Sequence, residues 1–291
     1  YNQKYIVWVD DVYPDVLVRK GLFKDNSFII RLWKRLNLLI YGRAEFVTTL
    51  GPCMATLIKQ YVIDNKEKKG VAIIPTWVDP EVIKPLKKAL NPFALKYNQV
   101  DKLTVMYSGN FGISHEIESL IIAAEKLQKH NDIHFLLVGG GAKFQLAEEA
   151  SKKLRNLTAL PYQPEETLPY SLACADIAVV TLDKGYEGIS MPGKTYYMMS
   201  AGAALLGISN IPSDLQCVIE KYNCGINILP GDVREFTNYL LELRSDKDLI
   251  ARYKKNSRQA AEHVFSKKVN IEKVYNMIKY SFSDTQQMWD K

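Results

Sequence analysis

Between residue 102 and about residue 280, short apolar runs alternate with amphipathic stretches of helical length, and that alternation leaves few architectures open. The runs fall at 103–107, 134–138, 157–160, 176–180, 203–207 and 225–228. They are mostly apolar, which reads as strands buried in a parallel sheet. The stretches between them, 116–129, 143–155, 165–175 and 212–222, carry apolar residues at helical spacing. Strand and helix in strict alternation predict an α/β fold with a parallel sheet. Right-handed crossovers then gather every strand's carboxyl end on one edge, where ligands of such sheets bind. Three further helices are expected at 233–244, 248–263 and 267–280.

Residues 1–75 offer only three strands, at 5–9, 46–49 and 71–74, which is half of a second α/β unit. The stretch 75–92 carries four prolines, Pro75, Pro80, Pro85 and Pro92, and reads as a linker. The expected division is 1–80, 81–266 and a final helical segment 267–291. The first residue is Tyr1 rather than Met, so the natural beginning is expected to be missing. With 47% hydrophobic and 24% charged residues the chain is a folded protein rather than a disordered one. A net charge of +6 suits phosphorylated ligands or anionic lipid without requiring nucleic acid. The four cysteines have no CxxC spacing and no clustered histidines, so no metal is expected and they read as reduced core thiols of a cytoplasmic protein. No run of eighteen apolar residues is present to span a membrane.

Several clusters on the expected ligand edge carry chemistry. Ser108, Gly109, Asn110, Phe111 and Gly112 follow a strand and precede a helix. Glycine lets a backbone approach phosphate, and free N–H groups at a helix start attract anions; the same residues also suit a tight turn. Gly139, Gly140 and Gly141 repeat the pattern at the next strand end. Residues 188–195, GISMPGKT, match the letters of a Walker A loop. The strand ends well before this stretch, Pro192 stiffens it, and the next strand lacks a Walker B aspartate, so a P-loop-like nucleotide-binding protein stands only as an alternative reading. The shared physics remains: Lys194, Ser190 and Gly193 at a helix start form a diphosphate site. Glu187 is either a ligand for sugar hydroxyls or a solvated loop carboxylate. His115, beside the first glycine turn, and Glu118 complete the polar candidates. Residues 28–41 put Ile29, Leu32, Trp33, Leu36 and Ile40 at helical spacing with Arg31, Lys34 and Arg35 between them. Such a helix ordinarily packs its stripe on its own domain; the alternative is a seat on anionic lipid.

Taken in order, the glycine turns, the stretch 160–169 (LPYQPEETLP), the strand Ala175 to Val180 and the segment 190–202 resemble a retaining glycosyltransferase of family 4 with the GT-B fold. Within it they are most similar to the branch that builds bacterial capsule, O-antigen or colanic-acid-type polysaccharide, as are WVDDVYPD (8–15) and IPTWVD (74–79). The resemblance implies a Rossmann-like donor domain and a partial, amino-terminally truncated acceptor domain, with the last helix crossing back to the latter. It implies transfer of a hexosyl or acetamidosugar group from a nucleotide-sugar, UDP-linked in this branch, to a lipid-linked saccharide, with retention. The nucleotide-sugar is a substrate, and no cofactor is expected. Gly109, Asn110 and Gly112 would face the diphosphate and Lys194 would neutralise it. Pro161, Tyr162 and Gln163 would lie beside the base, and Glu187 would touch the donor sugar. Tyr197 stands where the family carries the second acid of a Glu-x7-Glu motif, the group that grips the ribose. That departure, with the short amino-terminal part, leaves a donor-binding subunit that relies on a separate acceptor-domain chain as the alternative. The expected location is the cytoplasm, at the inner face of the membrane.

Overall fold

The computed structural model describes residues 4–62, 70–113 and 115–282; the end of the expected final segment, 283–291, and the first residue lie outside them. Among the described residues, nine strands form two wholly parallel sheets. In the first, β1 (Ile6–Trp8), β2 (Phe46–Thr49) and β3 (Val71–Ile73) lie in chain order. In the second, β4 (Leu103–Asn110), β5 (Ile133–Gly140), β6 (Leu157–Leu160), β7 (Ile177–Thr181), β8 (Ala204–Ile208) and β9 (Gly225–Ile228) take the order β6-β5-β4-β7-β8-β9. From the central β4 the chain first builds outward on one side and then returns to build on the other. That reversal opens a crevice at the carboxyl ends of β4 and β7.

Two strands run further than their apolar residues. The pairing of β4 with β5 continues through Gly109 with Gly139 and Asn110 with Gly140. A Cβ placed on Gly139 would lie 1.8 Å from the Gly109 carbonyl oxygen, so the two backbones meet only because the side chain is missing. Two helical expectations are also corrected. The stretch 165–175 divides into a 3-10 turn, Glu165–Thr167, and a short helix, Leu168–Leu172, because Pro169 lacks an N–H and starts the helix afresh. Helix Asp214–Tyr222 begins two residues after Pro212, where the Ser213 hydroxyl accepts from the Gln216 N–H at 3.1 Å.

The three-stranded sheet does not stand alone. Val12, Val47 and Met54 from its side share one buried cluster with Ile189, Met191, Tyr196 and Leu215 from the other. Polar contacts cross the same seam. Asp214, itself buried, accepts from the Cys53 N–H (2.8 Å) and the Met54 N–H (3.1 Å) at the first turn of helix Pro52–Lys59. The 75–92 stretch is pinned rather than loose. Arg258 donates to the carbonyls of Pro80 and Ile83, and Val78 bonds both Phe265 and Lys267. Helix Lys267–Phe282 returns to the first sheet, where Met277 packs with Phe46 and Ile74.

Two expectations about surface and core are overturned. Helix Phe28–Arg43 buries Ile30, Asn37 and Tyr41, and leaves the expected stripe of Ile29, Leu32, Trp33, Leu36 and Ile40 exposed. The buried side is set by Asn37, whose amide donates to the Tyr13 carbonyl at 2.7 Å. Of the cysteines, Cys174 and Cys224 are core thiols, whereas Cys53 and Cys217 are only half-buried.

Replacing Asp214 by Ala strands two helix-start N–H groups and opens the seam. The variant is expected to lose about 1–3 kcal/mol of stability, read as a lower urea midpoint. An unchanged midpoint would mean that the apolar cluster alone holds the seam.

Candidate anion site at the sheet switch point

The crevice between β4 and β7 contains an ammonium group without an acceptor. Lys194 is the first residue of helix Lys194–Ser200, and its stem reaches back to the β4 edge. Its Nζ is buried, has no hydrogen-bond partner, and lies 3.8 Å from the centre of the Tyr107 ring. A Cβ on Gly109 would lie 3.7 Å from that nitrogen, and Gly109 has φ +130°, a conformation that side chains resist. Burial pushes the Lys194 pKa down to about 7, with Asp183 pulling the other way. The ring face of Tyr107 offsets part of the desolvation cost of the cation, but its three N–H donors remain unspent.

The turn beneath it is braced from inside. The Tyr107 hydroxyl donates to the Asn110 carbonyl at 2.6 Å and lies 2.8 Å from His115 Nδ1. His115 Nε2 is 3.4 Å from Asp183 Oδ1. His115 Nδ1 is thus bonded within the turn, and the residue organises it. Burial raises the Tyr107 pKa well above its ordinary value, so it stays a neutral donor. Glu118 is held by Lys143 at 2.8 Å; burial would raise its pKa, but that contact and backbone N–H groups bring it below the usual value. Gly112 has an unconstrained backbone, with the His115 ring 3.4 Å from a Cβ built on it. Gly141, at φ +131°, has no room for a side chain because Asn110 Oδ1 would lie 2.4 Å away.

The other expected residues spread along the same edge. Tyr162 lies over Gly140, donating to its carbonyl at 3.3 Å, and the Gln163 amide donates to the Pro161 carbonyl at 2.8 Å. Glu187 is fastened by both carboxylate oxygens, to the Gly185 N–H and the Asn210 amide, each at 2.8 Å. It lines a cleft of about 680 Å³ together with Arg19, Cys53, Gln60 and Pro212. Ser190 instead lines a slot of about 420 Å³ with Trp8, Asp10, Asp11 and Trp77. Gly193 faces Thr76, whose methyl would be 3.8 Å from its Cβ. Tyr197 is exposed on the helix surface. The loop 182–193 thus runs between two clefts and delivers Lys194 to a third place, over Gly109. It leaves β7 at Thr181 and turns at Tyr186, whose carbonyl accepts from Ile189 and Ser190, before the helix begins; a P-loop passes from strand to helix directly.

Tyr107 and Asp183 were not among the sequence candidates. Tyr107 was hidden inside an apolar run. Asp183, two residues past β7, follows a strand end on the ligand edge, the same signal that singled out the glycine turns. Among the described residues no three His, Cys, Asp or Glu side chains come together as a metal site, and no helix is long and apolar enough to cross a membrane.

Lys194, Glu187 and the glycine turns lie in a stretch with known relatives. Residues 102–246 match the family model described as glycosyl transferases group 1. That stretch is similar to the group 1 glycosyl transferases. The chain is 29% identical over 234 residues to the probable glycosyltransferase WbjE of Pseudomonas aeruginosa, covering 79% of this chain and 57% of WbjE. It is 28% identical over 155 residues to WcaI of Escherichia coli strain K12, whose name assigns it to colanic acid biosynthesis, covering 50% of this chain and 38% of WcaI. The chain therefore spans about half the length of these relatives or less. Among solved structures, that of HepE from Anabaena in complex with UDP superposes with a TM-score of 0.75 at 13% identity, covering 96% of this chain and 72% of HepE. The two parallel sheets are those of the GT-B fold.

Replacing Lys194 by Met keeps the stem and removes the charge. Because the folded pKa lies below the ordinary value of 10.5, the unfolded chain binds more protons between about pH 7 and that value. Lys194 therefore makes the wild type gain stability as pH rises across that window. The Met variant is expected to match or exceed the wild type at pH 7 and to lose this part of the gain by pH 10, read by urea unfolding at both values. A variant that unfolds more easily at pH 7 would show the ammonium to be satisfied in the native state.

Proposed function

We propose that the chain transfers a sugar from a nucleoside-diphosphate donor, UDP-linked, to a lipid-linked saccharide with retention, in surface polysaccharide synthesis. The observation that carries this reading is the unpaired Lys194 ammonium held over Gly109. A diphosphate seated on the Gly109 backbone would take up the three free donors. It would also raise the Lys194 pKa, so binding above pH 7 should draw a proton from solution. As the sugar bond breaks, the growing negative charge on the leaving diphosphate would meet a cation already in place, which is where preorganised charge lowers a barrier.

The remaining assignments follow from position. Tyr162, Pro161 and Gln163, at the end of β6, would hold the base. The Glu187 carboxylate, aimed by Gly185 and Asn210, would bind sugar hydroxyls. The slot of Trp8, Trp77, Asp10 and Asp11 suits an acceptor saccharide. Its rings, 6.1 Å apart and edge to face, cover apolar sugar faces, and its carboxylates take hydroxyls. WbjE supports the transferase, WcaI supports the polysaccharide assignment, and HepE supports the base. The exposed stripe of helix Phe28–Arg43, with Arg31 and Arg35 beside it, would seat the chain on anionic lipid at the cytoplasmic face, where a lipid-linked acceptor is held.

Calorimetric titration with UDP, GDP and ATP, with and without Mg²⁺, tests the donor site. UDP is expected to bind without metal, to take up protons at pH 8, and to bind about 10- to 100-fold more weakly to Lys194→Met. ATP binding that requires Mg²⁺ would replace this reading with a P-loop site, and absence of any binding would overturn it. For the membrane, the chain is expected to sediment with phosphatidylglycerol vesicles but not phosphatidylcholine vesicles. The Arg31→Glu, Arg35→Glu double variant is expected to lose most of that binding, and equal sedimentation of both proteins would rule out the lipid seat.

A further inference from the structure

We propose that Cys53 and Cys217 form a reversible dithiol modification site, whose oxidation joins the two parts of the fold by a disulfide across their seam. The two sulfurs lie 3.8 Å apart although 164 positions separate them in sequence. Cys53 is in the first turn of helix Pro52–Lys59, on the side of the three-stranded sheet, and Cys217 is in helix Asp214–Tyr222, on the other. The Asp214 carboxylate, which accepts from the Cys53 and Met54 N–H groups, already fixes these helix starts against each other. The sulfurs therefore face each other without help from a bond. A disulfide holds its sulfurs about 2 Å apart, so closure asks for rotation of two side chains and little from the backbone. Both residues are half-buried, whereas Cys174 and Cys224 are fully buried. A small reagent thus reaches this pair and not the others.

The chemistry needs an oxidant, and a small-molecule disulfide supplies it. Burial, Asp214 and Cys217 together push the Cys53 pKa up to about 12, so Cys217 attacks first. Its thiolate sulfur bonds one sulfur of the reagent, the reagent's S–S bond breaks, and one thiolate leaves. Cys217, now a mixed disulfide, no longer holds the Cys53 proton in place. Cys53 loses that proton and attacks the Cys217 sulfur, and the second reagent thiolate leaves. Two protein thiols are oxidised, one reagent disulfide is reduced to two thiols, and the balance closes.

Cys53 also touches the candidate site. Its Cβ lies 3.4 Å from where a Cβ on Gly188 would sit, and it lines the same cleft as Glu187. Oxidation would therefore fasten the floor of that cleft and hold the seam shut, which, on the donor-binding reading above, slows exchange of the nucleotide.

The test treats the purified chain with oxidised glutathione under native conditions. Titratable thiols are expected to fall from four to two, and a non-reducing digest should join the Cys53 peptide to the Cys217 peptide. Cys53→Ser should stop at the glutathione adduct on Cys217, and Cys217→Ser should stay unmodified. The oxidised wild type should melt several degrees higher than the reduced form. A bridge that involves Cys174 or Cys224, or no bridge at all, would overturn the site. These readouts need no nucleotide, so they stand apart from the donor reading. Stopped-flow release of UDP from both forms tests regulation: slower release when oxidised supports it, and equal release rates overturn that part alone.

Discussion

Nothing larger than a hydrogen fits between β4 and β5 at their carboxyl ends, and the site follows from that restriction. Gly109 and Gly139 let the two backbones stay paired to the rim of the sheet, where apolar strands would already have parted. The rim is thereby flat and unobstructed. The Lys194 stem crosses it at Gly109, and the Tyr107 ring closes the space behind the ammonium. A Cβ at residue 109 would stand in ordinary contact with the lysine, 3.7 Å from its ammonium, so space does not demand glycine there. The backbone does: the strand end takes a φ of +130°, which side chains resist.

Most of the second sheet was legible in the sequence because its signal is local. Short apolar runs such as 133–138 and 177–180 are too short for a buried helix and read as strands, and Lys194 could be found because a lysine at a helix start needs a reason. What was not legible depends on partners far away in the chain. Asp183 gains meaning only beside His115 and Lys194, which come from other elements. The glycine turns gave an even choice between phosphate cradle and tight turn. Gly139 and Gly141 are needed for close backbone and side-chain packing, whereas Gly109 is needed for its backbone angle.

The helix at 28–43 misleads for a similar reason. Periodicity identifies its apolar stripe but not which side faces the protein, and a single amide, Asn37, bonded to Tyr13, turns the stripe outward. Likewise the three-stranded sheet looked too small to stand as a unit because its strands were counted without their neighbours. Val47, Met54 and Leu215 occupy one continuous core, so the smaller sheet borrows much of its apolar support from the larger.

The proline-rich stretch at 75–92 has the composition of a joint, yet its first half is pinned to the larger unit. Arg258 grips it at Pro80 and Ile83, and residues 265 and 267 hold it at Val78. Any rocking of one sheet against the other must then carry this segment along as part of the frame. The pivot has to lie across the apolar seam itself, so the motion would be a sliding of packed surfaces and not the swing of a loosely strung hinge.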